Sequence, residues 1–404
     1  MRISLLRERE PFPDILEKTL SQFWSRHFGQ EITVRWQDGR VPSHAQGQTW
    51  LVNAYLNAIF LPDAQATVFD PIRREFSRSP VWWKLPLQAA YVQAASSRLT
   101  ASWLAQAHLR VSPPVPQAQE QLVIAGNHKI RWLDVREGKV YGLRKAGFHE
   151  QFMRQEITAR QQAAVCGLPV PPLLAADEET YGWFCEQLVS GTPINRLADK
   201  QQAAAAVQQV YTALTNLYAQ TATQLPTCEY AAMLQQRILA LVDAHHLLGE
   251  GEKTAVRQQT AQLTKHLSSM AAPVTLALTH GDFQPANILL NEAGTWLIDW
   301  EYAAQRQIGY DVLVYSCAAR FPTRLAQRLQ QFINNDFSHS LPVMGLWPTE
   351  TARHLSAHLF MLEESLFHLT QTYQPLFTTP GAGWADWQQA IAQWLAMPWE
   401  QIVD

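Results

Sequence analysis

The stretch "ILEKTLSQFWSRHF", Ile15 to Phe28, has a helical period of apolar positions. "WKLPLQAAYVQAASSRLTASWLAQA" predicts a second helix, broken near its proline, Pro86. The pattern stops at "VSPPVPQAQEQ", a proline-rich polar stretch with the composition of a linker. From Gln121 the period shortens. "QLVIAG", "KIRWLDV" and "KVYGLRK" read as strands, separated by the turns "GNH" and "REGK". "EQFMRQEITARQQAAVCG" then reads as a helix stopped by Gly167, and "TYGWFCEQLVSG" as a further strand. After Gly191 the helical period returns in "KQQAAAAVQQVYTALTNLYAQ", "AAMLQQRILALVDAHHLL" and "KTAVRQQTAQLTKHLSSM", and again beyond Gly309. Only "THGDFQPANILL" and "GTWLIDW" interrupt it with β-like sequence.

This order predicts an α+β protein in three parts: a mainly helical extension over 1–115, a β-rich small lobe over 116–191, and a helical large lobe over 192–404. At 404 residues the chain is too long for a single core, which agrees. Hydrophobic content of 47 % and charged content of 17 % are ordinary for a soluble protein. A net charge of −3 gives no reason to expect nucleic acid as the partner. The cysteines Cys166, Cys185, Cys228 and Cys317 lie far apart with no CxxC pair, which points to a reducing, cytoplasmic setting. "MRISLLREREPFPD" interrupts its apolar run with charges too early for a signal peptide. No apolar run reaches the length of about 18 residues that a membrane span needs.

Candidate chemistry concentrates at "THGDFQPANILLNEAGTWLIDWE", Thr279 to Glu301. Ile288 to Leu290 reads as one strand, "NEAG" as a turn and Thr295 to Ile298 as the return. Such a hairpin brings Asn287 close to Asp299, with Asp282 just ahead in the loop. Phosphoryl transfer needs a set of this kind. One carboxylate orients the attacking hydroxyl and takes its proton, while an amide and a second carboxylate hold Mg2+ through oxygen.

At these residues the chain resembles the aminoglycoside phosphotransferase and choline kinase-like families, which share the protein-kinase fold. His280-Gly281-Asp282, Asn287 and Ile298-Asp299-Trp300-Glu301 match the families' H-G-D-x-x-x-x-N loop and I-D-[WF]-E element. The resemblance implies a bilobal protein-kinase-like fold that uses ATP, or GTP in its place, with Mg2+. Asp282 would be the catalytic base, His280 a loop support, and Asn287 and Asp299 the metal ligands. Asp311, in "IGYDVLVY", matches the aspartate that opens the next helix in these families. Gly126, Asn127 and His128 would form the nucleotide-covering loop. Arg144 or Lys145 would contact phosphates with Glu156 as the helix partner, and Glu186, Gln187 and Leu188 would form the adenine-binding hinge. Arg144 stands where these families carry lysine, and the two side chains are not equivalent. The H-G-D loop lacks the arginine of H-R-D, and neither D-F-G nor A-P-E is present, which favours a small-molecule alcohol over a protein acceptor. The acceptor class spans choline-, thiamine- and aminoglycoside-like cationic alcohols and sugars. A nucleotide-binding pseudokinase acting through its extension and an atypical protein kinase stand as the alternatives.

Trp347, Trp384, Trp387, Trp394 and Trp399 lie among an excess of acids, Glu350, Glu363, Glu364, Asp386, Glu400 and Asp404 against Arg353. They read as a cation site or, more simply, as helix packing. "DPIRREFSRSPVWWK", Asp70 to Lys84, interleaves Arg73, Arg74, Arg78 and Lys84 with Phe76, Trp82 and Trp83. It reads as an amphipathic packing segment, or as a surface for a phosphorylated or glycan-like group or a protein partner. A protein partner or a dimer through residues 1–115 belongs to the same reading.

Overall fold

The computed structural model describes residues 2–39, 47–76, 83–268, 270, 272–336 and 346–398. Arg78, Trp82, Trp399, Glu400 and Asp404 lie outside them. The chain divides into two compact units. One is Met1–Ile157 with Pro171–Ala198 and Leu289–Trp296; the other is Thr158–Val170 with Asp199–Ile288 and Leu297–Asp404.

The first unit runs α1 (Ile3–Arg9), α2 (Phe12–Phe28), β1 (Thr33–Asp38), β2 (Gln48–Asn53), β3 (Ala58–Phe60), α3 (Asp70–Glu75), α4 (Lys84–Ala95), α5 (Ala101–Leu104) and β4 (Ala107–Ser112). It continues with β5 (Gln121–Ala125), β6 (Lys129–Asp134), β7 (Lys139–Arg144), the first half of α6 (Gln151–Val165), β8 (Leu173–Ala176) and β9 (Trp183–Gln187). Among the described residues nine strands form one antiparallel sheet, ordered β1-β4-β2-β3-β5-β6-β7-β9-β8. Ala58 opposite Ile124 and Ile59 opposite Val123 join the strands of the extension to those that follow Gln121.

The reason α2 packs on this sheet is legible in its spacing. Phe12, Ile15, Leu16, Leu20 and Trp24 recur every three or four residues and are buried. Pro13 sits in the first turn, where its missing N–H costs nothing, and Gly29 closes the helix at φ +64°. Each large side chain removed from water on that face contributes about 1.5–3 kcal/mol. Pro86 does not break its helix. It occupies the first turn of α4, where no intrahelical N–H bond is lost, and the break comes instead at Ser96–Thr100. The proline-rich segment after β4 is packed: Val115 and Ala118 are buried, and the Gln48 amide bonds the backbone of Val115 in both directions at 3.0 and 3.1 Å.

The second unit is mainly helical: α7 (Lys200–Thr221), α8 (Thr227–Ala244), α9 (Glu250–Leu267), α10 (Tyr310–Ser316), α11 (Leu325–Ile333), α12 (Glu350–Thr372) and α13 (Ala382–Leu395). Its core joins α8, α9, α11, α12 and α13 through Leu234, Ile238, Leu263, Leu329, Phe360 and Trp394. The remaining strands are β10 (Thr192–Pro193), β11 (Thr223–Pro226), β12 (Pro273–Thr279), β13 (Ile288–Asn291), β14 (Gly294–Leu297) and β15 (Ala304–Gln307). They form two small sheets: β10-β13-β14, which belongs almost wholly to the first unit, and β11-β12-β15, which belongs to the second. The α+β class and the hairpin expected after Asn287 are both present. Among the described residues no helix is long and apolar enough to cross a membrane.

Candidate active site

Strand β12 ends at Thr279, and the chain reverses through His280 and Gly281. Gly281 has φ +83°, and a Cβ there would lie 2.0 Å from the carbonyl oxygen of Tyr302, so glycine alone fits. Asp311, wholly buried in the first turn of α10, pins this loop. Its Oδ2 accepts from the N–H of His280 at 2.8 Å and from the Tyr218 hydroxyl at 2.6 Å, and its Oδ1 accepts from the N–H of Gly281 at 2.9 Å. Burial, and then the Asp311 carboxylate, push the Tyr218 phenol well above its ordinary pKa, so it stays a donor. His280 donates from Nε2 to the Ile298 carbonyl at 3.0 Å and accepts the Asp282 N–H at Nδ1 at 3.2 Å, which fixes its tautomer.

The Asp282 carboxylate is held at both oxygens. Oδ1 accepts from Arg320 Nε at 2.7 Å; Oδ2 accepts from Gln284 Nε2 at 2.8 Å and Asn287 Nδ2 at 2.9 Å. Arg320 also reaches Glu364 Oε2 at 2.8 Å and the Gly281 carbonyl at 2.5 Å, and it lies 3.7 Å from the centroid of the Phe367 ring. Burial alone would lower the pKa of this arginine. Glu364, Tyr310 and Asp282 outweigh that and raise it well above the ordinary value. Sequence reasoning missed Arg320, which belongs to no local pattern, and placed Glu364 only among the acids of the C-terminal region. Removing one partner from a buried ion pair leaves a charge without compensation. Arg320→Met is therefore expected to cost about 3–5 kcal/mol in urea unfolding, and Glu364→Gln in the same chain to recover much of it. An unchanged midpoint in the single variant would show that the cluster carries no stability.

Asn287 donates its amide N–H groups to the backbone oxygen and Oδ2 of Asp282, both at 2.9 Å. Its oxygen is thereby the end left for other contacts. Its own carbonyl accepts the Ile298 N–H at 3.0 Å, which closes the hairpin and sets Asp299 one residue beyond. Asp299 holds φ +71°, a left-handed conformation uncommon for aspartate and a form of strain that concentrates at functional sites. An amide oxygen and a carboxylate suit a hard cation such as Mg2+, so the donor set fits that ion.

In the first unit, Gly126, Asn127 and His128 form the turn between β5 and β6. A Cβ on Gly126 would lie 2.6 Å from the Lys129 carbonyl oxygen, so the turn closes tightly. Glu156, on α6, is ion-paired with Lys129 of β6, both side chains being 3 % exposed. Lys129 stands directly across the sheet from Arg144. Arg144 is partly exposed and lies 3.9 Å from Glu150. Lys145 is buried against Glu10 of the extension at 2.5 Å. The structure thus pairs Glu156 with a lysine that the motif comparison did not single out. Glu186 sits in β9 between β7 and β8; the N–H groups of Gln187 and Leu188 already bond Pro172 and Gly138 carbonyls at 3.0 and 2.7 Å.

The tryptophan-rich C-terminal region packs. Trp384, Trp387 and Trp394 are buried in the helical core, and Trp347 lies edge-on to Phe332.

The family described as "Phosphotransferase enzyme family" matches residues 130–341, just over half of the chain. No curated protein matches the sequence. Among solved structures, a choline/ethanolamine kinase family protein from Mesorhizobium loti is 16 % identical with a TM-score of 0.44, over 77 % of this chain and 95 % of that one. An aminoglycoside phosphotransferase in complex with ADP and hygromycin B is 14 % identical with a TM-score of 0.43, over 68 % and 92 %. Choline kinase LicA from Streptococcus pneumoniae is 15 % identical with a TM-score of 0.40, over 70 % and 91 %.

Proposed function

The chain belongs to the phosphotransferase enzyme family, and on that premise we propose that it transfers the γ-phosphoryl group of ATP, with GTP as the alternative donor, to a hydroxyl of a small molecule. The observation that carries this reading is the Asp282 carboxylate, oriented by Arg320, Gln284 and Asn287 at 2.7–2.9 Å. Asp282 orients the acceptor hydroxyl and takes its proton. Its carboxylate is already fixed, so little reorganisation is left for the moment of reaction. Asn287 and Asp299 would hold the metal, which supplies neutralisation of charge on the phosphates when bound. His280 keeps the loop shape through the Ile298 carbonyl. The buried Lys129–Glu156 pair supports Lys129, ahead of Lys145, as the lysine that meets phosphate. The acceptor is a cationic alcohol of choline, thiamine or aminoglycoside type, or a sugar.

A thermal-shift screen of alcohol metabolites, run with Mg2+ and a non-hydrolysable ATP analogue, tests the reading. A ligand at a hundred times its dissociation constant stabilises the folded state by about 2.7 kcal/mol, an increment that a melting curve resolves. The nucleotide alone is expected to raise the midpoint, and an acceptor to raise it further. No shift with Mg2+ and either ATP or GTP analogues would remove the proposal.

A further inference from the structure

The turn that the functional reading assigns to nucleotide is gripped from behind by the N-terminal extension. Arg9, the last residue of α1 and nearly buried, donates from Nη1 to the Asn127 side-chain oxygen at 2.8 Å. Lys145 donates to the Asn127 carbonyl at 2.9 Å, and its charge is balanced by Glu10 at 2.5 Å, with both ionic side chains fully buried. Asn127 in turn bonds His128 Nε2 at 2.9 Å, and the His128 ring stacks on Phe152 at 3.7 Å. Residues 9 and 10 are not a floating tail. The Glu10 N–H closes α1 on the Leu6 carbonyl at 2.9 Å, and Ile3, Leu6, Phe12 and Leu16 on either side are buried in the core of the nine-stranded sheet. Thr19 of α2 accepts the Ala146 N–H at 2.9 Å, which fixes the chain just after Lys145 to the same helix.

We propose that Arg9 and Glu10 are positioning residues for the Gly126–His128 turn, so that the extension sets the affinity of the nucleotide site. The proposal rests on the reading of that turn as nucleotide-covering. Arg9 fixes the Asn127 side chain directly. Glu10 acts through Lys145, which without its counter-charge would not stay buried to hold the Asn127 carbonyl. A turn held at the side-chain oxygen and the carbonyl of its central residue meets a ligand without ordering on binding, which is where preorganisation gains affinity.

The test uses the full chain with Arg9→Met, Arg9→Lys and the double change Glu10→Gln with Lys145→Met, which removes the pair without stranding a charge. Amide exchange over residues 125–129 is measured without nucleotide, and the dissociation constant of Mg·ATP analogue by calorimetry. Arg9→Met and the double variant are expected to exchange at least about tenfold faster at that turn, with no change in the helical unit, and to bind nucleotide about tenfold more weakly. Arg9→Lys, which keeps a donor, is expected to recover most of both. Folded variants with wild-type exchange and affinity overturn the proposal, and so does general acceleration of exchange, the sign of a merely structural pair. A wild-type chain that binds no nucleotide overturns the functional reading instead, and leaves the exchange result to decide whether these residues hold the turn.

Discussion

Asp282→Asn is expected to lower phosphoryl transfer about a thousandfold, within the range of about 10²–10⁴ for loss of a general base, while the protein stays folded. A thousandfold loss corresponds to about 4 kcal/mol of barrier. The geometry makes the substitution informative. The aspartate accepts from an arginine on one oxygen and from two amides on the other. An asparagine in its place keeps one acceptor oxygen and turns a donor N–H toward Arg320 or toward the two amides. The proton acceptor is gone and the orientation is disturbed together. Folding should survive, because Arg320 retains Glu364 at 2.8 Å, and the loop retains its bonds to Asp311. The measurement is transfer of labelled γ-phosphate to the acceptor found by the thermal-shift screen, beside a urea unfolding curve. Turnover within tenfold of wild type would mean that another group receives the proton. Normal nucleotide binding with transfer lost would place the defect in the chemical step.

What sequence reasoning reached here was local, and what it missed was not. The H-G-D-x-x-x-x-N spacing forces Asn287 back onto Asp282 within one tight loop, so the amide-to-carboxylate bond needs nothing from elsewhere in the chain. Asp311 was singled out through the family resemblance alone; its bonds to the N–H groups of His280 and Gly281 come from the fold. Arg320 meets Asp282 across 38 positions and Glu364 across 44, through the packing of α10 and α12, and no period or spacing announces such a meeting. The lysine paired with Glu156 shows a subtler limit. Arg144 and Lys129 face each other across β7 and β6, and the partner that Glu156 takes is Lys129, on the neighbouring strand. The extension held another surprise. Its strands are three to six residues long and lie between stronger helical signals, and only their pairing, above all that of β3 with β5, makes them part of the nine-stranded sheet.

Mild acid is expected to destabilise the protein by roughly 2–4 kcal/mol between pH 6.5 and 5, a large share of the 5–15 kcal/mol that holds a typical domain. Three histidines of the helical unit carry this. Burial, the largest cause in each, pulls His245 and His358 from 6.5 down to about 4, and His368 to about 3 with the Arg320 charge adding to the effect. Glu364 lies 3.8 Å from His368 but is already engaged by Arg320 and Tyr310, so it does not rescue the charged ring. Below pH 6.5 the unfolded chain binds a proton at each histidine and the folded chain does not. Stability therefore falls with pH until about 4, where the folded histidines begin to protonate. Glu363 opposes this. Burial raises its carboxyl from 4.5 to about 7, so the folded state keeps a proton that the unfolded state releases, and Glu10, also raised by burial, adds to the opposition. Three protons against the one of Glu363 leave a slope of up to about 2.7 kcal/mol per pH unit. Urea midpoints at pH 7.5, 6.5, 5.5 and 5.0 measure it, and a flat series would mean that these rings are solvated. His368→Phe isolates one contribution. The His368 ring lies flat on Trp387 at 4.6 Å and its Nε2 has no hydrogen-bond partner, so phenylalanine keeps the stack and removes only the titration. The slope of that variant should be smaller by about 1.4 kcal/mol per pH unit, with little change at pH 7.5.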